Sequence, residues 1–261
     1  MRNRSLTFGA IFLMIPVLFI GCSKGPSEEE TKQKALADQL ASIEQAYQEL
    51  TTGRQEVKAA QASVTELEAV AAPDDDQKAE LEALPAKIEE LTASREAAYD
   101  SLQDQLANFL NTALNEFPES PETARALEIY SKEAILTAED IVGKSGDYRK
   151  AGDQLMSVKS YYEGVELEPN PELLAEIERL DDWRFITQER FDTVTNGMTQ
   201  DEVKAAIGVP YYQNIQIDDE RGVETWLYKK REGGAAAIYF KTKTGTVYGK
   251  KFDAIKTKVV E

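Results

Sequence analysis

From Lys34 onward, apolar residues recur at Leu36, Leu40, Ile43, Tyr47, Leu50, Val57 and Val64. The alternating steps of four and three hold one stripe along one side of a helix, the seam of a coiled coil. Arg54, Gln61 and Glu68 stand at later seam positions, so the pattern predicts a seam that weakens toward its far end. Ala71-Ala72-Pro73-Asp74-Asp75-Asp76 then interrupts the pattern: proline ends the first helix and an aspartate can cap the next. A return arm carries Leu81, Leu84, Ile88, Leu91, Ala98, Leu102 and Phe109, and Pro85 within it predicts a kink or restart near Leu84. The two arms together predict an antiparallel helical hairpin over 34–117, roughly 55–60 Å long at 1.5 Å per residue. Its residues are equally compatible with a passive spacer and with a partner-binding arm; none suggests chemistry.

After Phe117-Pro118 the pattern changes to a small helical bundle over 118–190. Ser120-Pro121-Glu122 is a helix start, with serine as cap and proline at the first helical position. That helix is expected to end near Gly143, and a second to begin around Asp147 with Tyr148, Ala151, Leu155, Val158, Tyr161 and Tyr162. Asn170-Pro171 opens a third, bearing Leu173, Leu174, Ile177, Leu180 and Trp183. Gly146-Asp147-Tyr148 followed by Leu167-Glu168-Pro169-Asn170 resembles the second half of a tetratricopeptide repeat, but the spacing is too long and there is no second copy to stack on. The bundle aromatics Tyr130, Tyr148, Tyr161, Tyr162 and Trp183 are expected in the core rather than on a ligand-binding face.

The C-terminal part reads as one helix followed by alternating strands. Thr199-Gln200-Asp201-Glu202 is a capping box, with Met198 and Val203 at the hydrophobic staple positions. Val203, Ala206 and Ile207 form one apolar stripe, Gly208 sits where a left-handed terminating residue is wanted, and Pro210 prevents continuation. A first strand is expected within Tyr211–Ile217, a stronger one over Val223–Arg231, then Ala235–Lys241 and Thr246–Phe252, separated by Gly-containing turns. Along the second strand Trp226 and Tyr228 face one side, and Val223, Thr225 and Leu227 the other. The fold class is therefore mainly α with a C-terminal α+β unit: hairpin, bundle, then one helix packed on a three- or four-stranded antiparallel meander over 191–255, with a tail at 256–261.

Charge and composition narrow the functions. The net charge of −17 argues against a nucleic-acid footprint. Residues 28–119 hold 21 acidic and 7 basic side chains, whereas 191–261 hold 10 and 11, so a solvated acidic helical section precedes a nearly neutral unit. There is no histidine and a single cysteine, Cys22. Ser–His and Cys–His nucleophile pairs are thereby excluded, as are intramolecular disulfides and thiol metal clusters. Acidic pairs occur in runs such as Glu28–Glu30 and Asp74–Asp76, where solvation explains them. No catalytic residue, metal ligand, cofactor or small-molecule substrate is expected.

The N-terminus accounts for the lone cysteine. Arg2 and Arg4 precede an apolar run, Phe8–Ile20, whose 13 residues are the length of a signal-peptide h-region and short for a membrane-spanning helix. Leu18-Phe19-Ile20-Gly21-Cys22 resembles a bacterial lipobox, with Phe19 where that pattern usually has leucine. The resemblance implies removal of 1–21 as a lipoprotein signal peptide and lipidation of Cys22, with acyl chains anchoring the protein to a membrane. Ser23 after the cysteine implies the outer membrane, facing the periplasm, and the polar segment 22–33 (Ser23–Gln33 in particular) is expected to be a flexible tether.

Gly197-Met198-Thr199, Val203, Gly208 and Pro210, with Thr225-Trp226-Leu227-Tyr228 and Ile238-Tyr239-Phe240, resemble the pattern of the SmpA/OmlA (BamE-like) family of outer-membrane lipoproteins. The similarity covers about a quarter of the chain, and here a long helical section stands between the cysteine and the domain. It implies a non-catalytic envelope scaffold or assembly factor with protein partners, acting in outer-membrane protein assembly. The alternative is a binding or inhibitory module for another secreted protein, with Trp226, Tyr228 and Tyr239 as the candidate interaction surface.

Overall fold

The computed structural model describes residues 27–255; Cys22, the signal segment and the tail 256–261 lie outside the described residues. The first helix, α1 (Glu28–Glu68), starts inside the expected tether. The reason is a capping box that polar composition obscured: the Ser27 side chain accepts from the Glu30 N–H, and the Glu30 carboxylate accepts from the Ser27 N–H at 2.7 Å. The acidic run Glu28–Glu30 thus occupies the first turn, where the helix dipole favours negative charge.

A second helix, α2 (Asp75–Glu116), is capped in the same way by Asp74 and Gln77. It runs unbroken through Pro85, so the expected restart near Leu84 does not occur. Pro85 is exposed and its neighbour Leu84 is buried in the seam, so the ring lies on the solvent side of the helix. Lys32 pairs with Glu116, Ser42 donates to Gln105, and Gly53 lies against Arg95, which sets the two helices antiparallel in constant register. At 1.5 Å per residue, 41 residues give a hairpin of about 60 Å.

Burial along the hairpin is uneven. Leu36, Ile43, Ala46, Leu50, Val57 and Ala60 are buried on α1, but on α2 only Leu84 is buried before Leu102, Leu106, Phe109, Leu110 and Ala113. Three further helices explain the difference: α3 (Pro121–Ser145), α4 (Tyr148–Gly164) and α5 (Pro171–Trp183). They cover the half of the hairpin near its ends, and all five helices share one core. The shared core spans the expected 117/118 boundary between hairpin and bundle. α3 extends past Gly143 to Ser145 and stops at Gly146, whose φ of +64° is the left-handed conformation that ends a helix.

The second core contains Ile186, Phe191, Val194, Val203, Ile207, Trp226, Tyr228, Ile238 and Phe240. It includes a short helix absent from the expected set, α6 (Gln188–Thr193), and α7 (Gln200–Ile207), packed on a four-stranded sheet. The strands are β1 (Ile215–Asp218), β2 (Val223–Lys229), β3 (Ala235–Lys241) and β4 (Thr246–Ile255), antiparallel in the order β1-β2-β3-β4. β1 begins later than expected because Tyr212–Asn214 forms a 3-10 turn. The protein is mainly α with a C-terminal α+β unit.

Candidate interaction surface and module junction

α7 is held by its own punctuation. The Thr199 hydroxyl accepts from the Glu202 N–H, and the Glu202 carboxylate accepts from the Thr199 N–H at 2.7 Å. That bond holds the Glu202 carboxyl below its ordinary value. Just before the cap, the Gly197 N–H donates to Val247 O and the Val247 N–H donates to Met198 O, which stitches the helix entry to β4. Gly197 has φ of +94°, so the Gly-Met-Thr sequence is the hinge, staple and cap of one strand-linked helix start.

The structure separates the three sequence-predicted surface residues. Trp226 is 2% exposed and Tyr228 7% exposed, both on the sheet face that α7 covers, so neither contributes to an interaction surface. Trp226 packs on Phe240 with ring centroids 4.4 Å apart, donates from Nε1 to Glu224 at 2.7 Å, and lies beneath the Lys204 ammonium. Gln200 donates to the other Glu224 oxygen, so the strand carboxylate joins the indole to the start of α7. Strand alternation puts Trp226 and Tyr228 on one face; it does not say that this is the face a helix takes.

Tyr239 alone lies on the outer face, half-buried beside Leu227 and Ala237. Its ring stands 6.2 Å from that of Tyr248, which is exposed. Tyr248 was not among the expected surface residues. Val247 in the core assigns its neighbour to the outer face by simple alternation, and a register shift between Tyr239 and Phe240 then brings the two tyrosines together. The pair borders a crevice of about 560 Å³ that also holds Thr225, Gln216, the strand-end residue Asp218 and the turn residues Glu220 and Arg221.

The stretch after α7 joins the two cores. The Tyr228 hydroxyl donates to Gly208 O at 3.1 Å, and the Tyr148 hydroxyl accepts from the Val209 N–H at 3.0 Å. Both polar groups of the Gly208–Val209 peptide unit are thus satisfied by tyrosines, one from the sheet and one from α4. Burial pushes both hydroxyls above the ordinary tyrosine value, Tyr228 strongly, while the Val209 N–H draws Tyr148 partly back. Gly208 has φ of +93° and ψ of 171°, an extended glycine conformation rather than the expected left-handed helical one. A Cβ there would meet the Tyr148 hydroxyl at 2.5 Å and the Trp183 ring at 3.1 Å. Arg231 adds a pairing to Asp181 at 2.8 Å, and Arg190 donates to Phe185 O and to Asp182 O.

The Tyr148→Phe variant should leave the Val209 N–H without its acceptor in a part-buried contact. A loss of about 1–3 kcal/mol in urea unfolding is expected, against no change for Tyr161→Phe at an exposed position. Bundle aromatics otherwise divide: Tyr148 and Tyr162 are core, Tyr130 and Trp183 are half-buried, and Tyr161 is exposed.

Among the described residues no cluster of three or more acidic, cysteine or histidine side chains converges as a metal site, and no helix is long and apolar enough to cross a membrane. Comparison of the chain with protein-family models, with curated proteins and with solved structures found no match.

Proposed function

We propose that the chain is a lipid-anchored bacterial envelope protein that works without catalysis, as a scaffold or assembly factor at the periplasmic side of the outer membrane. The observation that carries this reading is the position of its single cysteine, Cys22, directly after Gly21 and a 13-residue apolar run. A helix on an antiparallel meander, entered through Gly197-Met198-Thr199 and left through Gly208, is also the architecture that the SmpA/OmlA resemblance implies. Outer-membrane protein assembly is the specific process this resemblance favours.

Geometry gives the reading a consequence. Five residue steps separate Cys22 from Ser27, a reach of at most about 18 Å. An acyl anchor on Cys22 therefore keeps the α1 N-terminus, and the shared five-helix core beside it, close to the bilayer. The hairpin turn then lies up to about 60 Å away along the helices. The alternative, a binding module for another secreted protein, rests on the outer-face pair Tyr239 and Tyr248.

Cys22→Ala is the test. The protein is expected to leave the membrane fraction for the soluble periplasmic fraction, with no acyl mass on the N-terminus. A variant that stays membrane-bound would overturn the lipid anchor. In-cell photocrosslinking from Tyr239 and Tyr248 that recovers no component of the barrel-assembly machinery would sink the barrel-specific version.

A further inference from the structure

A groove of about 320 Å³ lies between α2 and the α3–α4 pair, and no charged side chain lines it. That is unusual for a chain with 30% charged residues. The larger crevices elsewhere carry charge: Arg54, Arg95, Asp100 and Asp140 line one, and Glu128, Lys132, Glu168 and Glu172 another. A smaller uncharged crevice of about 230 Å³ between α1 and α2 has no tyrosine, and two of its polar side chains already pair with each other, Ser42 donating to Gln105.

The α2–α3–α4 groove is built differently. Leu106 and Leu110, both buried, form its floor. Gln103 and Asn111 stand along one edge of α2, about 12 Å apart at 1.5 Å per residue. Tyr130 and Tyr161 form the opposite wall, with ring centroids 5.9 Å apart and planes tilted by 58°. Tyr161 is 41% exposed, so its ring presents itself to whatever enters. Among the described residues, the side-chain amides of Gln103 and Asn111 and the hydroxyls of Tyr130 and Tyr161 have no hydrogen-bond partner. An aromatic wall, an apolar floor and a few amides and hydroxyls able to donate and accept make the composition of a small-ligand site, at the small end of the usual volume range.

We infer that this groove binds a neutral saccharide. A sugar ring offers an apolar C–H face to a tyrosine ring and a rim of hydroxyls to amides, with no charge to balance. A partner helix with an apolar face fits less well. It would cover the two amides and two hydroxyls without replacing their water, which costs free energy for each group left unpaired. An anionic or cationic ligand would find no countercharge.

The test uses the full chain in detergent, titrated with di-N-acetylchitobiose and maltose as neutral probes and a uronate disaccharide as the charged one, read by ligand-observed NMR and calorimetry. Saturable binding of at least one neutral probe and none of the uronate is expected. Tyr161→Ala and Asn111→Ala, both at solvent-exposed positions, should keep the unfolding midpoint of the parent and weaken binding about tenfold, equivalent to about 1.4 kcal/mol. Absence of binding by both neutral probes overturns the inference, as does a Tyr161→Ala variant that binds as tightly as the parent. So does a photocrosslinker at Ala107 that captures a protein helix in the groove. None of these outcomes depends on whether Cys22 is lipidated.

Discussion

Gly146→Ala should destabilise the protein by about 2–5 kcal/mol and loosen the attachment of the α+β unit to the helical core. Two effects add. Gly146 has φ of +64°, where an L-residue with a Cβ is strained by about 1–2 kcal/mol. The new Cβ would also fall 2.2 Å from Pro210 O, 2.5 Å from Pro210 C and 2.8 Å from Tyr211 N. All three are backbone atoms, so no side chain can swing aside, and overpacking of this kind adds about 1–3 kcal/mol. The segment that must retreat carries the peptide unit held by Tyr148 and Tyr228, so relief of the clash pulls those hydrogen bonds apart. Urea unfolding should show a lower midpoint and a split or broadened transition, with faster proteolysis of the 208–214 segment. Gly143→Ala is the control: a Cβ there meets nothing within 4 Å inside α3, and alanine should be neutral or stabilising by about 0.5–1 kcal/mol. Equal midpoints for Gly146→Ala and the parent would show that the junction is not packed as described.

Such a contact is invisible to sequence reading. Gly146 announces the end of a helix, and Gly208 the end of another, through local rules of backbone conformation. That they lie within one junction depends on how two cores dock. The same division runs through the rest of the chain. Caps at Ser120, Asn170 and Thr199 were legible because their partners lie two or three residues away. The Ser27 box obeys the same rule and was hidden by the polarity of its surroundings, which suits a tether equally well. Strand alternation placed Trp226 and Tyr228 on a common face, yet it carries no information about which face receives α7. Only two of the three expected surface aromatics were therefore misplaced, and Tyr239 was not. The six-residue α6 is too short to show a period at all.

The largest penalty for a single side chain is expected at Arg54. By sequence it is a flaw in the coiled-coil seam; in the fold it is the partner of Glu133 on α3, 79 residues away. Glu133 is 0% exposed and receives both Arg54 amino groups, one at 2.6 Å, with Thr137 beside it at 3.5 Å. Burial opposes the charge on Arg54, but the hydrogen bonds and the negative charge of Glu133 outweigh it and raise the guanidinium above its ordinary value. The sign follows directly: a raised arginine value contributes stability that is complete below the unfolded value and is lost only as pH rises through the folded one, so its contribution is flat across physiological pH. Arg54→Met removes the only cation bonded to Glu133 among the described residues and strands a buried carboxylate, with an expected loss of about 3–5 kcal/mol. Glu133→Leu should be milder, because Arg54 borders an open crevice and its charge can reach water. Arg54→Met/Glu133→Leu together should return close to the parent or exceed it, since a well-packed apolar pair avoids the desolvation of two ions. A double-mutant cycle in urea then gives a coupling of several kcal/mol, far above the roughly 0.5 kcal/mol within which independent sites add. Were the double variant as unstable as Arg54→Met alone, the pair would be holding the α1–α3 contact through shape rather than charge. The same cycle thus decides whether the seam position at 54 is polar for stability or to fix α3 in register against the hairpin.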